Sequence, residues 1–303
     1  MSNKPPAGTQ KTKVQRHTLE SNGDLNVATE NLDETTSMLL ESYKTYNGRQ
    51  YLNGVDLNYI LPSDELEFSR STLSHILRKH LWNNFRSPIN EKLNIGHWVM
   101  DMGSEYPSST FIGIDIDSSN FPSHDRCPSN VCFLTCNAIH GVPFPPNTFD
   151  FVNVSMMWCA FSEPQWIQLI KDLVRVLKYD GWIEFLNPNT CSDNPGKVEQ
   201  LLFESASKVC LETKGVNIAI YKMIPKYLEA MDELDEITCL SMNYPSLENI
   251  KRAYESIAFL PKYIGKSKED FDKLLIEFYN EVNESNPTWS FHRQFAKKVH
   301  NID

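Results

Sequence analysis

The apolar run Phe111-Ile112-Gly113-Ile114 ends on a carboxylate, Asp115. In an open α/β sheet ligands bind beyond the carboxyl ends of the strands, and a carboxylate there can accept both hydroxyl protons of a ribose. Such charge-assisted bonds are worth about 1.5 to 3 kcal/mol. An acid that merely opens a loop is common at any single strand end, so the weight of Asp115 depends on its neighbours. His124, His140 and Glu184 are of the right type to act as acids or bases toward a second substrate, but no spacing fixes their geometry. The seven cysteines are scattered, with no C-x-x-C pair and no histidine at zinc-finger spacing, which predicts reduced thiols packed as small hydrophobes and no metal site.

Positioning Asp115 requires a strand, and the chain around it alternates strand-like and helix-like units from 92 to 187. The expected strands span 93–96, 110–116, 131–136, 149–154 and 182–186, with helices over 98–106 and 162–178 between them. The second helix carries the clearest signals. Ser162 and Gln165 form a capping box, Trp166, Leu169, Ile170, Leu173 and Leu177 recur at helical spacing, and Gly181 is read as its stop. This alternation predicts an α/β fold, a Rossmann-like doubly wound and mostly parallel sheet with helices on both faces. Further helices are expected over 197–213, 224–231, 246–259 and 268–282, with a late strand over 288–295 adding an edge. Upstream, Ser63 is read as the N-cap of a helix whose Leu66, Leu73, Ile76, Leu77 and Leu81 share one face.

The next strand ends carry a family pattern. Asn137-Ala138 is followed by Gly141-Val142-Pro143-Phe144-Pro145-Pro146-Asn147-Thr148-Phe149-Asp150, and later by Arg175-Val176-Leu177-Lys178-Tyr179-Asp180-Gly181-Trp182-Ile183-Glu184-Phe185. Together these resemble the class I S-adenosylmethionine (SAM)-dependent methyltransferases. Asn47-Gly48-Arg49-Gln50-Tyr51 and Tyr59-Ile60-Leu61-Pro62-Ser63-Asp64-Glu65 resemble the lead-in of a fungal group that includes regulators of secondary metabolism. The resemblance implies SAM as cofactor, with Asp115 on the ribose, Asn137 and Ala138 near the adenine, and Ser155 at a strand end facing the cofactor, followed by Met156-Met157-Trp158. It implies no catalytic residue by name, because methyl transfer needs mainly a positioned nucleophile.

The first strand and its turn depart from that family. Where the pattern asks for an acid and a glycine-rich turn, the chain reads Lys92-Leu93-Asn94-Ile95-Gly96-His97-Trp98, about four residues short, leaving Asn94 and Gly96 as the cofactor-binding candidates there. Glycines let backbone N–H groups approach a ligand without a Cβ clash, and His97 does not replace them. Two functions stay open: a methyltransferase acting on a small molecule or protein acceptor, and a catalytically inactive relative with an interaction or regulatory role. The domain reading is a disordered tail over 1–42, a lead-in and helix covering the site over 43–91, and a methyltransferase domain over 92–300, with its core at 92–187. The net charge of −10 argues against nucleic acid as a partner, and no apolar run is long enough for a membrane span. The expected location is cytoplasmic or nuclear, and a protein partner is compatible with the reading.

Overall fold

The computed structural model describes residues 42–54, 57–82, 98–244, 247–257 and 260–300. The expected tail, and the expected first strand with Asn94, Gly96 and His97, lie outside the described residues.

Short runs of alternating or β-branched residues form the expected strands. β1 (Ser42–Tyr46) and β2 (Arg49–Asn53) make an antiparallel hairpin. Asn47 and Gly48 both take positive φ, the requirement of a two-residue hairpin turn. β3 (Phe111–Asp115) pairs in parallel with β4 (Val131–Thr135), Asp115 lying opposite Thr135. β5 (Phe149–Ser155) pairs in parallel with β6 (Leu177–Pro188), Ser155 lying opposite Leu186. The sheet continues antiparallel through β8 (Trp289–Lys298) to β7 (Leu234–Tyr244), in the order β5-β6-β8-β7.

The helices are α1 (Glu65–Trp82), α2 (Trp98–Glu105), α3 (Glu163–Val176), α4 (Lys197–Lys214), α5 (Ile224–Glu229), α6 (Leu247–Ser256), α7 (Leu260–Tyr263) and α8 (Lys268–Ser285). They cover both faces of the sheet. Phe151 of β5, which pairs with Trp182, meets the Trp98 ring of α2 at 6.0 Å. Phe185, an odd number of residues from Trp182 and therefore on the other face, meets Trp166 of α3 at 6.4 Å. The fold is thus α/β and Rossmann-like, with the parallel pairs β3–β4 and β5–β6 in separate sheets among the described residues and antiparallel pairing at β8 and β7. Ile112, Ile114 and Leu134 of the β3–β4 pair pack on the same core as Trp166, Ile183 and Phe185.

Four expectations change. β8 is not an edge but lies between β6 and β7. β7 was not legible because its alternation is broken: the register shifts between Asp235 and Thr238, where Glu236 takes positive φ. Gly181 does not stop α3, which ends at Val176. It lies inside β6, where a Cβ would come within 2.9 Å of the Asp150 and Lys178 carbonyl oxygens.

α1 is the fourth. Its cap is Asp64, whose Oδ1 accepts the Glu67 N–H at 3.0 Å. Its inward face is polar: Glu67, Arg70, Ser74 and Arg78 are buried, whereas Leu66, Leu73 and Ile76 are exposed. Spacing alone marks either stripe as a helix face. The choice between them follows from what the sheet presents underneath, which is an ionic layer rather than an apolar one.

Candidate active site at the strand ends

Asp115 ends β3 as expected, and its Oδ1 accepts the Asp117 N–H at 2.9 Å. The protein packed around the carboxyl pushes its pKa up to about 6, the Asp117 N–H opposing the rise and the Asp117 charge adding to it. The outer surface of the residue remains exposed. Asp117 is buried and has a different job. It accepts hydrogen bonds from Tyr43 Oη at 3.0 Å, from the Ser63 hydroxyl and from the Ser119 N–H at 2.9 Å. Burial works against its charge, but these donors hold its pKa below the usual carboxylate value. Asp117 thereby ties the N-terminal hairpin and the entry of α1 to the strand end that carries Asp115. Arg49 links the two lead-in motifs directly, donating to Asp64 at 2.6 and 2.9 Å.

Asn137 follows β4 and caps a short 3-10 turn that begins at Ala138; its Oδ1 accepts the Ile139 N–H at 3.3 Å. The residue is buried, and its Nδ2 has no hydrogen-bond partner. Asp115 and Asn137 stand on adjacent parallel strands, joined by the Cys136 N–H bond to the Asp115 carbonyl at 2.8 Å. Near the carboxyl end of β6, Asn187 is buried with both amide atoms unpaired, and beyond the strand the Thr190 hydroxyl is buried and unpaired as well. Buried polar atoms without partners are few in native proteins, so the free Nδ2 of Asn137 at the end of β4 and the unpaired amide of Asn187 at the end of β6 each offer a hydrogen bond to a polar ligand.

Ser155 closes β5, and Met156 after it takes a φ of 63°. A non-glycine residue in this region is strained, and such strain concentrates at functional sites. Ser155 faces a small pocket lined with Trp98, Asn153, Leu186 and Arg293, and by His75, Arg78 and Lys79 of α1. Of these only Ser155 was singled out in the sequence. For Arg78 the signal was the polar series 67, 70, 74, 78 at helical spacing.

The remaining candidates are accounted for by structure. Glu184 is buried and accepts from Arg293 Nη1 at 2.7 Å, so it is an ion-pair partner. His140 ends the exposed 3-10 turn after Asn137, and the side chain of His124 lies outside the described residues. Arg175 of the third motif clamps the Val142–Phe144 segment: it donates to the Phe144 carbonyl at 2.6 Å, to the Val142 carbonyl at 2.8 Å and to Asp172 at 2.6 Å. Among the described residues, no three His, Cys, Asp or Glu side chains are grouped to hold a metal, and no helix is long and apolar enough to cross a membrane.

Residues 94–181 match the family model described as a methyltransferase domain. The N-methyltransferase verN of Clonostachys rogersoniana is 27% identical over 156 residues, covering 46% of this chain and 54% of that protein. The methyltransferase str3 of Strobilurus tenacellus is 24% identical over 88 residues, 29% of this chain and 30% of that one. The chain thus spans about half or less of the length of these curated relatives. Among solved structures, phosphoethanolamine N-methyltransferase 2 of Haemonchus contortus, in complex with phosphomonomethylethanolamine and S-adenosylhomocysteine, is 15% identical with a TM-score of 0.46, over 80% of this chain and 55% of that one. With the strand-end motifs already in place, residues 94–181 are thus similar to methyltransferase domains, and parts of the chain are similar to two fungal methyltransferases.

Proposed function

We propose that the chain binds SAM across the ends of β3 and β4 and methylates a small-molecule or protein acceptor brought to the end of β5. The observation that carries this reading is the pair formed by Asp115 and Asn137. A carboxylate suited to two ribose hydroxyls stands beside a buried amide whose Nδ2 lacks an acceptor. Because Asn137 Oδ1 is already used by Ile139, Asn137 would donate to an adenine ring nitrogen. Ala138 and Ser155 complete the cofactor side as small residues at the two strand ends. When bound, SAM supplies an activated methyl group on its sulfonium; the protein contributes position and exclusion of water.

A rival reading, the fold kept without turnover for protein interaction, draws on the short turn at Asn94 and Gly96 and on the exposed Leu66, Leu73 and Ile76 of α1. Irradiating the full chain with methyl-tritiated SAM and mapping the labelled peptides separates the two. The first reading expects label between residues 111 and 158. An unlabelled, folded chain, or label confined to the C-terminal helices, would support the rival.

A further inference from the structure

The inward face of α1 carries more positive charge than the acids around it neutralise. Arg70 is paired with Glu67 at 2.6 Å, Lys79 with Asp101 at 2.9 Å, and Arg293 of β8 with Glu184 at 2.7 Å. Arg78, in their midst, has no such partner. Its side chain is buried, with the residue only 8% exposed. Its Nη1 donates to Ser74 Oγ at 2.9 Å, and its guanidinium carbon lies 5.7 Å from the centre of the Phe291 ring. No carboxylate among the described residues lies within ion-pair distance of it. A hydroxyl and an aromatic face are weak compensation for a guanidinium taken out of water, whose other donors want a planar acceptor. Burial accordingly pushes Arg78 down to about 9, with the Arg70 and Arg293 charges acting the same way.

Arg78 also lines the pocket that Ser155, Asn153 and Trp98 enclose at the end of β5. We propose that Arg78 is a carboxylate receptor, its guanidinium fork gripping the carboxylate of a molecule bound in this pocket. One negative charge matches the one guanidinium that lacks a carboxylate among the described residues. A phosphate dianion fits less well, because Asp101 and Glu184 already bring negative charge to the same layer. The carboxylate has two sources: the amino-acid tail of SAM, which rests on the function proposed above, or an acidic methyl acceptor, which does not need the cofactor to be bound first.

The test titrates three probes into the full chain and into Arg78→Met and Arg78→Lys. S-Adenosylhomocysteine carries the carboxylate, 5′-methylthioadenosine lacks it, and benzoate offers a carboxylate alone. If the tail of SAM is the source, Arg78→Met weakens S-adenosylhomocysteine about tenfold to a hundredfold, leaves methylthioadenosine unchanged, and Arg78→Lys recovers part of the loss. If an acidic acceptor is the source, S-adenosylhomocysteine is unaffected and benzoate binding to the wild type is lost in Arg78→Met. Benzoate binding lost in the variant, with no nucleoside binding to the wild type, would keep the receptor and discard the SAM reading. Thermal melts of the unliganded proteins give an independent readout. Removing an uncompensated buried charge raises the midpoint of Arg78→Met, whereas a structural arginine would lower it. A folded Arg78→Met that binds every probe as the wild type does, a wild type that binds none of them, or a lower midpoint with unchanged affinities overturns the proposal.

Discussion

Asp115 and Asp117 stand two residues apart at one strand end, yet their surroundings move them in opposite directions. Asp117 is held below the usual carboxylate value by the Ser63, Ser119 and Tyr43 donors, so its stabilising contribution is present at neutral pH and is lost as the pH falls through that range. Asp115 has backbone donors alone among the described residues and is raised to about 6. A raised acid keeps its proton longer, and a protonated carboxyl loses acceptor capacity for ribose hydroxyls. Affinity for S-adenosylhomocysteine should therefore fall as the pH drops from 7 to 5 in the wild type, while the weaker binding of Asp115→Asn stays flat over that interval. Titrations at three pH values check this, and parallel profiles for both proteins would place the titrating group elsewhere. At this scale the sequence was informative about the acid itself, since a carboxylate at the end of Phe111-Ile112-Gly113-Ile114 is plain to read. It was silent on the division of labour with Asp117, which depends on Tyr43 and Ser63 arriving from 74 and 54 residues away.

α1 shows how an element is misread when its partner surface is unknown. Leucines at helical spacing normally mark the buried face. Here Leu66, Leu73 and Ile76 point outward because the sheet beneath offers Arg293 and Glu184, which the polar stripe of Glu67, Arg70, Ser74 and Arg78 can accompany. Leu73→Gln should change stability by no more than about 0.5 kcal/mol, as for an ordinary surface position. Ser74→Leu should cost about 1 to 3 kcal/mol by overpacking, and more because Arg78 loses the Ser74 hydroxyl that accepts from it. Urea denaturation of the two variants measures both. A large loss for Leu73→Gln with none for Ser74→Leu would return the helix to its sequence reading. By contrast β3, β4, β5, α3 and α4 were legible to within a residue or two at most ends, because their periodicity and turns are local. β7 was hidden by its bulge, and the central place of β8 follows from pairing that no local window contains.

Across the whole molecule, a chain of net charge −10 places Arg78, which has no carboxylate partner among the described residues, in a pocket at the carboxyl end of β5, and buried unpaired amides at the ends of β4 and β6. Net charge thus says little about the ligand, whereas the buried polar groups at the strand ends carry the functional reading proposed above. The family motifs over 94–181 explain the scaffold, since Arg175 and Asp172 hold the Val142–Phe144 loop that follows Asn137. The proposed function makes Asp115 and Asn137 the residues that hold SAM on that scaffold. Calorimetric titration of S-adenosylhomocysteine into the full-length chain and its Asp115→Ala variant tests this most directly. The account predicts one saturable site in the wild type and affinity reduced about tenfold to a hundredfold in the variant, the loss of contacts worth about 1.5 to 3 kcal/mol. Equal affinities for the two proteins, or no binding by a folded wild type, would contradict it.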